Sequence, residues 1–452
     1  MEKIDLLQLF EKDKQTQLIV EILNSRLKIQ HLLLKGLNGS LKTIAASNVI
    51  NKTNFNHLFI LDNLEDALYF LDDLNNLNPR ISSHLLPSSN RIKFGDNNVI
   101  LERIEALNNI MSKKKTCIVT DVKAVKEQII AKKDFSKQQL TITSGERINL
   151  DKLIEKLNKF NFQNKNFVLE PGDFSIRGFI IDIFSYSYDI PYRITLDNDV
   201  VDDITSFQVA SQLSVENFNE INIISNIESG LEKTGKTTFF SYLPKNSVIW
   251  INNPSLLFDD NNSEQRKSSI SGSEIKQIID QYYCLYTNNI NRIHTAQTIQ
   301  FNSSEQPAFN KNFEILINHL DQYKNENYKN IITVSSENQM KRLKNIFNNY
   351  LHLVQFIQAN NSLKEGFVDN ENKIVLYTDH QIFERHHQYK SKRIYKTDNM
   401  ISLKDLTDLK KGDYITHFDY GVGMFDGLRI KQSNGNNQES IRIIYKNNDV
   451  LY

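Results

Sequence analysis

A lysine followed by a hydroxyl side chain, where a glycine-containing loop leaves a buried strand and opens a helix, is an arrangement that grips phosphate. Backbone N–H groups wrap the phosphate oxygens, the lysine reaches the terminal ones, and the hydroxyl holds Mg²⁺. Residues 32–50, LLLKGLNGSLKTIAASNVI, have this order, with Gly36, Lys42 and Thr43 on the G-x-x-x-x-G-K-[ST] pattern and Gly39 inside the loop. The second fixed glycine is replaced by Leu41. A Cβ there stands where the backbone must approach the phosphate, in a conformation that only glycine takes cheaply. The stretch therefore reads as a degenerate phosphate loop, right in context and missing its permissive residue.

A second stretch, GLEKTGKT at residues 230–237, fits the same pattern in full. Its context is wrong: polar SNIES separates it from the nearest apolar run, and Pro244 breaks any helix that follows. It reads as a chance match. Hydrolysis would also need a carboxylate at a strand end and an arginine from a second lobe. Asp379 follows the apolar run KIVLYT but belongs to a different block from Lys42, and capping the helix at HQIFER accounts for it. His380, His386 and His387 have no neighbouring acid and cysteine set to complete a coordination shell, so they read as solvated and no metal is expected. Cys117 and Cys284 lie in apolar surroundings and read as reduced core thiols.

Two further stretches carry candidate contact residues. In EPGDFSIRGFIIDIF, Gly172 and Gly178 bracket a hairpin-like segment with Arg177 at a strand edge, and Arg193 in PYRITLD can share that face. An arginine fork pairs bidentately with carboxylates and is enriched at interface hot spots. The alternative is an ordinary ion pair with Asp173, Asp182 or Asp197. In HFDYGVGMFDG, Gly421, Gly423 and Gly427 surround Val422, Met424 and Phe425, which are either core-facing neighbours of turn glycines or exposed apolar residues on a small barrel.

The elements that must position these residues follow from hydrophobic period. HLLLKG, HLFILD and KTCIVTD are buried-strand runs, each feeding an amphipathic helical pattern, which predicts a parallel α/β domain over residues 1–131. A helix at NLDKLIEKLNKFNF and alternating strands to Phe207 predict an inserted α+β domain over 132–207. The α/β pattern resumes over 208–300, and a second small α/β domain is expected over 308–393. Charged HHQYKSKRIYKTDN supplies a linker, placed at 394–404. Residues 405–452 predict a small β-barrel of Tudor/SH3 type, cut inside its strand pattern, so a longer parent protein is expected.

Composition narrows the function classes. Lys plus Arg and Asp plus Glu both number 54, so the chain has no global field for gathering on nucleic acid or an anionic membrane. The charged N-terminal MEKIDLLQLFEKDKQTQ fits neither a signal nor a transit peptide, and no apolar run reaches membrane-spanning length. A cytoplasmic, monomeric, multidomain protein is expected. With 7 Pro and 15 Gly, flexible linkers should be few.

Three stretches, EPGDFSIRGFIIDIFSYSYDIPYRI, LKEGFVDNENKIVLYTDHQIFER and GDYITHFDYGVGMFDG, together and in this order resemble the N-terminal half of the bacterial transcription-repair coupling factors (Mfd). The resemblance implies a module similar to the excision-repair protein UvrB that has lost its ATP site, an inserted UvrA-binding domain, a middle domain and a CarD-like RNA-polymerase-interacting domain. It places Arg177 and Arg193 on the UvrA contact, with Asp197 where an apolar residue is common. It places Val422, Met424, Phe425, Asp426 and Leu428 on an edge that pairs with the polymerase β subunit, although the family's Gly-Arg-Tyr is here Gly423-Met424-Phe425 and lacks the charge. ATP, Mg²⁺ and most DNA contact are then expected only in a translocase motor beyond Tyr452. The competing classes are an active UvrB- or helicase-type NTPase and a nucleic-acid-binding module.

Overall fold

The computed structural model describes residues 3–25, 31–89, 97–112, 114–209, 211–227, 235–259, 269–287, 297–309, 312–350, 354–359, 361–384, 410–417, 421–433, 436–445 and 449–451. It divides into two units, Met1–Lys390 and Ser391–Tyr452. The chain is a mixed α/β, multidomain protein with several separate sheets.

Strands of uninterrupted apolar residues suit a parallel sheet covered on both faces. His31–Lys35, Asn56–Leu61, Cys117–Asp121 and Ser247–Ile251 are of this kind. With Ser83–Leu86, Tyr283–Tyr286 and Gln297–Gln300 they make a seven-stranded sheet in the spatial order 297–300, 31–35, 283–286, 247–251, 56–61, 117–121, 83–86. Every pairing in it is parallel. Strands from late and early sequence therefore neighbour one another, and the chain between them leaves the sheet and returns. The intervening helices open on side-chain caps: Asn63 accepts from the Asp66 N–H and Asp121 from the Ala124 N–H.

The excursion exits and re-enters on two antiparallel ribbons, Gln128–Ile130 with Lys236–Thr238 and Gln139–Thr143 with Glu220–Ile224. Between them lies a six-stranded sheet ordered Ser214–Asn217, Val200–Phe207, Tyr192–Asp197, Ile180–Ile183, Asp173–Arg177, Gln163–Asn164. Period-two alternation buries Phe174, Ile181, Ile183, Ile194 and Ile204 on one face. The opposite face holds Arg177, Asp182 and Arg193, with Asp182 directly across from Arg193. Ending the inserted unit at Phe207 is corrected here, because Ser214–Asn217 is a further strand of the same sheet, paired with residues 205–207. Lys236 and Thr237, the end of the fully matching phosphate pattern, lie in a strand, which is followed only by the single 3-10 turn Phe239–Tyr242. Residues 230–234 of that pattern lie outside the described residues.

A second sheet runs Lys3–Ile4, Ile357–Ala359, Lys329–Thr333, Ile374–Thr378, Phe367–Asp369, Ser303–Glu305. Its first four strands are parallel and its last two antiparallel. The expected limits 1–131 and 308–393 do not match it, since residues 3–4 and 303–305 are strands of this second sheet. One hydrophobic core contains Leu34, Trp250 and Leu285 of the first sheet together with Leu363, Phe367 and Leu376 of the second block. The helix Leu41–Lys52 belongs to that core, with nine of its twelve residues buried, so it is enclosed on nearly all sides.

The second unit is an antiparallel sheet of Tyr414–His417, Gly421–Ser433, Asn436–Ile444 and Val450–Leu451, with a register shift between Phe425 and Leu428. Among the described residues its four strands form one sheet with two edge strands. The linker placed at 394–404 lies outside the described residues. No described helix is long and apolar enough to cross a membrane.

Candidate functional site

The strand His31–Lys35 delivers Gly36 and Gly39, both at positive φ (77° and 53°), to the start of the helix Leu41–Lys52. The geometry is that of a strand-loop-helix turn, but four of its backbone donors have partners inside the protein. The Ser40 N–H donates to the Glu365 carbonyl at 3.1 Å, and the N–H groups of Leu41 and Thr43 donate to the Asn38 and Ser40 carbonyls. The Asn38 N–H donates to the Ser303 hydroxyl at 3.2 Å. Lys42 Nζ donates to Asn252 Oδ1 at 2.6 Å; Thr287 donates to the same oxygen at 3.0 Å, and Asn252 Nδ2 donates to Asp62 at 2.8 Å. Burial lowers the Lys42 pKa from its ordinary value, with Asp62 opposing the shift. The cavity beside it, lined by Lys42, Phe59, Phe70, Trp250, Asn252 and Thr287, is about 10 Å³, room for a single water. Leu41 and Thr43 are buried.

Asp379 is buried and does not cap its helix, whose N-cap is Thr378; its carboxylate accepts from the Ser335 N–H and hydroxyl at 3.2 and 2.8 Å. His380 is buried against the Lys364 carbonyl, which corrects the solvated reading. His386 and His387 lie outside the described residues. Among the described residues no group of three His, Cys, Asp or Glu side chains is arranged to hold a metal. Cys117 and Cys284 are free and buried; burial raises both thiols, Cys117 to about 12.

On the inserted sheet, Arg177 and Arg193 converge on one carboxylate. Asp182, with 2% of its side chain exposed, takes Arg193 as a fork, Nε at 2.8 Å and Nη2 at 3.0 Å, and also pairs with Arg177. Arg193 makes further bonds to the Gln212 carbonyl and side-chain oxygens and stacks over Phe207 at 4.3 Å. Its side chain is 19% exposed, against 41% for Arg177. Asp197 is exposed at the strand end, and Asp173 pairs instead with Lys165. Around this face stand exposed Phe167, Phe179, Leu213 and Val215, with Arg177 5.6 Å over the Phe167 ring. Sequence reasoning missed these four; the turn at Gly178-Phe179 was the available signal.

In the second unit, Tyr414 pairs with Met424, Met424 with Ile444, and Ile444 with Val450, so cross-strand register lays one row across four strands. Tyr414 is 80% exposed, Val422 63% and Met424 38%. Phe425, expected to be exposed with them, is 4% exposed, because it points to the other face with Ile443. Asp426 pairs with Lys411 at 2.7 Å and Arg442 at 3.1 Å, and the hydrogen bond from Lys411 holds its carboxyl below the usual range. The Leu428 backbone pairs with Ile441; its side chain lies outside the description. Tyr414 and Val450 carried no sequence signal of their own, because only register brings them beside Met424.

Two domain families match this chain. The UvrB interaction domain matches residues 140–228, and the CarD-like/TRCF RID domain matches residues 409–452. The transcription-repair-coupling factor of Bacillus subtilis strain 168 is 22% identical, covering 99% of this chain and 46% of its own length. Those of Staphylococcus haemolyticus (22% identical, 94% of this chain, 44% of the relative) and Staphylococcus aureus strain USA300 (22%, 78% and 38%) are also similar. The chain thus spans about half the length of the curated relatives it matches or less. Two domain matches in this order, and relatives that align along 78–99% of the chain, match it to the N-terminal half of transcription-repair-coupling factors.

Proposed function

We propose that this chain is a non-catalytic adaptor. Its inserted domain engages the repair protein UvrA, and its second unit engages the β subunit of RNA polymerase, so that a stalled polymerase brings the excision machinery to a lesion. The observation that carries this reading is the occurrence of both domain matches in one chain, each on a sheet with exposed apolar side chains: Phe167, Phe179, Leu213 and Val215 around the first, Tyr414, Val422 and Met424 on the second. Arg177 is the contact arginine in this reading, because its half-exposed bond to Asp182 can be exchanged for a partner's carboxylate at little cost. Arg193 positions Asp182, and Asp197 lies at the rim. On the polymerase side, Val422 and Met424 supply the contact, with Asp426 and Leu428 beside them.

Lys42 takes no nucleotide in this reading, since Asn252 already occupies its ammonium and the adjoining cavity has the size of one water. ATP-driven translocation on DNA then belongs to the intact parent, outside these residues. The test is binding of the intact chain to purified UvrA and to polymerase β subunit. Arg177→Ala should weaken UvrA binding by at least about 30-fold, the size of a hot-spot loss of about 2 kcal/mol, and leave the β subunit unaffected. Met424→Arg should do the reverse. Wild-type binding in both variants would reject the two surfaces. Saturable ATP binding abolished by Lys42→Ala would favour the NTPase class, and steep salt-dependent binding to DNA the nucleic-acid module.

A further inference from the structure

The loop before Leu41 is too well occupied to be an idle remnant. Its Ser40 N–H donates to the Glu365 carbonyl at 3.1 Å, and the Glu365 N–H returns the bond to Ser40 Oγ at 3.0 Å. Asp73, 3% exposed, splits its carboxylate between the two sides: one oxygen accepts from Ser40 Oγ at 2.6 Å, the other from the Lys364 N–H at 2.8 Å. Two glycines permit the approach. A Cβ on Gly39 would stand 2.4 Å from the Gly366 carbonyl oxygen, and one on Gly36 would stand 2.1 Å from that of Phe301. Ser303 accepts from the Asn38 N–H and donates to the Gly36 carbonyl. Lys364 reaches back over the Tyr69 ring at 4.3 Å and to Asp66 at 3.6 Å.

We infer that residues 36–41 form an intramolecular docking cradle whose occupant is the segment 363–367 of the second sheet, with the Glu365 carbonyl oxygen in the role that a phosphate oxygen has in a nucleotide-binding loop. A helix N-terminus with free N–H groups attracts electronegative oxygens. Here that oxygen is tethered to the same chain, so it competes with any free anion at high effective concentration. This assigns Leu41 a purpose. A nucleotide loop needs glycine there for backbone approach, whereas a docking loop gains from an apolar side chain, and Leu41 joins Leu37, Leu363 and Phe367 in the core common to both sheets. Leu363, Phe367 and Leu376 complete that core from the second block, so the cradle holds the two sheets as one body.

The test is hydrogen exchange in the intact chain, read at residue resolution, with neither UvrA nor polymerase present, so that its outcome is separate from the adaptor reading. In the unmodified protein the amides of Ser40, Lys364 and Glu365 should exchange at one common, protected rate, because they open together. Asp73→Ala removes both halves of the bridge and should speed exchange of 363–369 and 36–41 by at least 10-fold while leaving 173–207 unchanged; Ser40→Ala should act in the same direction. Unchanged exchange at 363–369 in both variants would overturn the cradle. So would three unrelated rates in the unmodified chain, a result that stands even where Asp73→Ala fails to fold.

Discussion

Removing the guanidinium of Arg193 should unfold more of the inserted sheet than removing that of Arg177, although both bind the same carboxylate. Asp182 is buried, and Arg193 is its bidentate partner, held in turn by Gln212 and the Phe207 ring. Deleting one member of a buried pair typically costs about 3–5 kcal/mol, since the other charge is left without compensation. Arg177 remains to hold Asp182, and Arg193 is itself partly open to solvent, so about 2–3 kcal/mol is the reasonable size for Arg193→Ala. Arg177 is exposed enough that its own bond belongs with surface pairs worth about 0–1 kcal/mol. Opening of the sheet governs amide exchange, and 1.4 kcal/mol is a factor of ten, so exchange over 173–207 should rise by about 30- to 150-fold in Arg193→Ala and by less than about 5-fold in Arg177→Ala. Hydrogen exchange by mass spectrometry on the full chain reads both. Equal acceleration in the two variants, or none in Arg193→Ala, would refute the division into a contact arginine and a positioning one.

Phe425→Ala should cost about 3–5 kcal/mol and abolish the native circular dichroism of the second unit, whereas Val422→Ala and Met424→Ala should shift its melting by less than about 1 kcal/mol. His57 is fully buried and accepts from Trp250 Nε1 at 3.1 Å, and burial pushes its pKa down to about 3. The unfolded imidazole takes a proton near pH 6.5 and the folded one does not, so this stabilisation is complete above 6.5 and lost as pH falls toward 3. At pH 5 the loss is about 2 kcal/mol, and urea unfolding followed by Trp250 fluorescence should find the difference between pH 7.5 and pH 5 smaller by that amount in His57→Gln. Lys42→Met should be more stable than wild type at neutral pH, with the gap narrowing as pH rises toward about 10.4, because the folded state disfavours the ammonium that the unfolded chain keeps. A gap that does not change with pH would contradict the burial argument.

Much of the scaffold is legible in local pattern. HLLLK, HLFIL and CIVTD read as buried strands because a parallel strand covered on both faces needs consecutive apolar residues, and that demand is met within five or six positions. The two cysteines read as core thiols for the same local reason. Leu41 could be recognised as foreign to a phosphate loop from the conformational privilege of glycine alone. Partners were another matter. Phe425 and Met424 are adjacent and equally apolar, yet one is core and the other surface, since a strand sends successive side chains to opposite faces and the register decides which face is covered. Ser214–Asn217 has no buried residue to mark it as a strand, and only its pairing with 205–207 assigns it to the inserted sheet. Asp73 and Glu365 lie far apart in sequence, and Ser40 meets both only after the two sheets have closed around one core. The buried runs and the degenerate loop could be read from residues alone because each depends on neighbours within one element, and the family resemblance because it rests on the order of short stretches along the chain. Tertiary structure alone decided which carboxylate two arginines share, which face of a strand is open, and what fills the loop, because each depends on long-range pairings whose loop-closure cost is offset only by the assembled core.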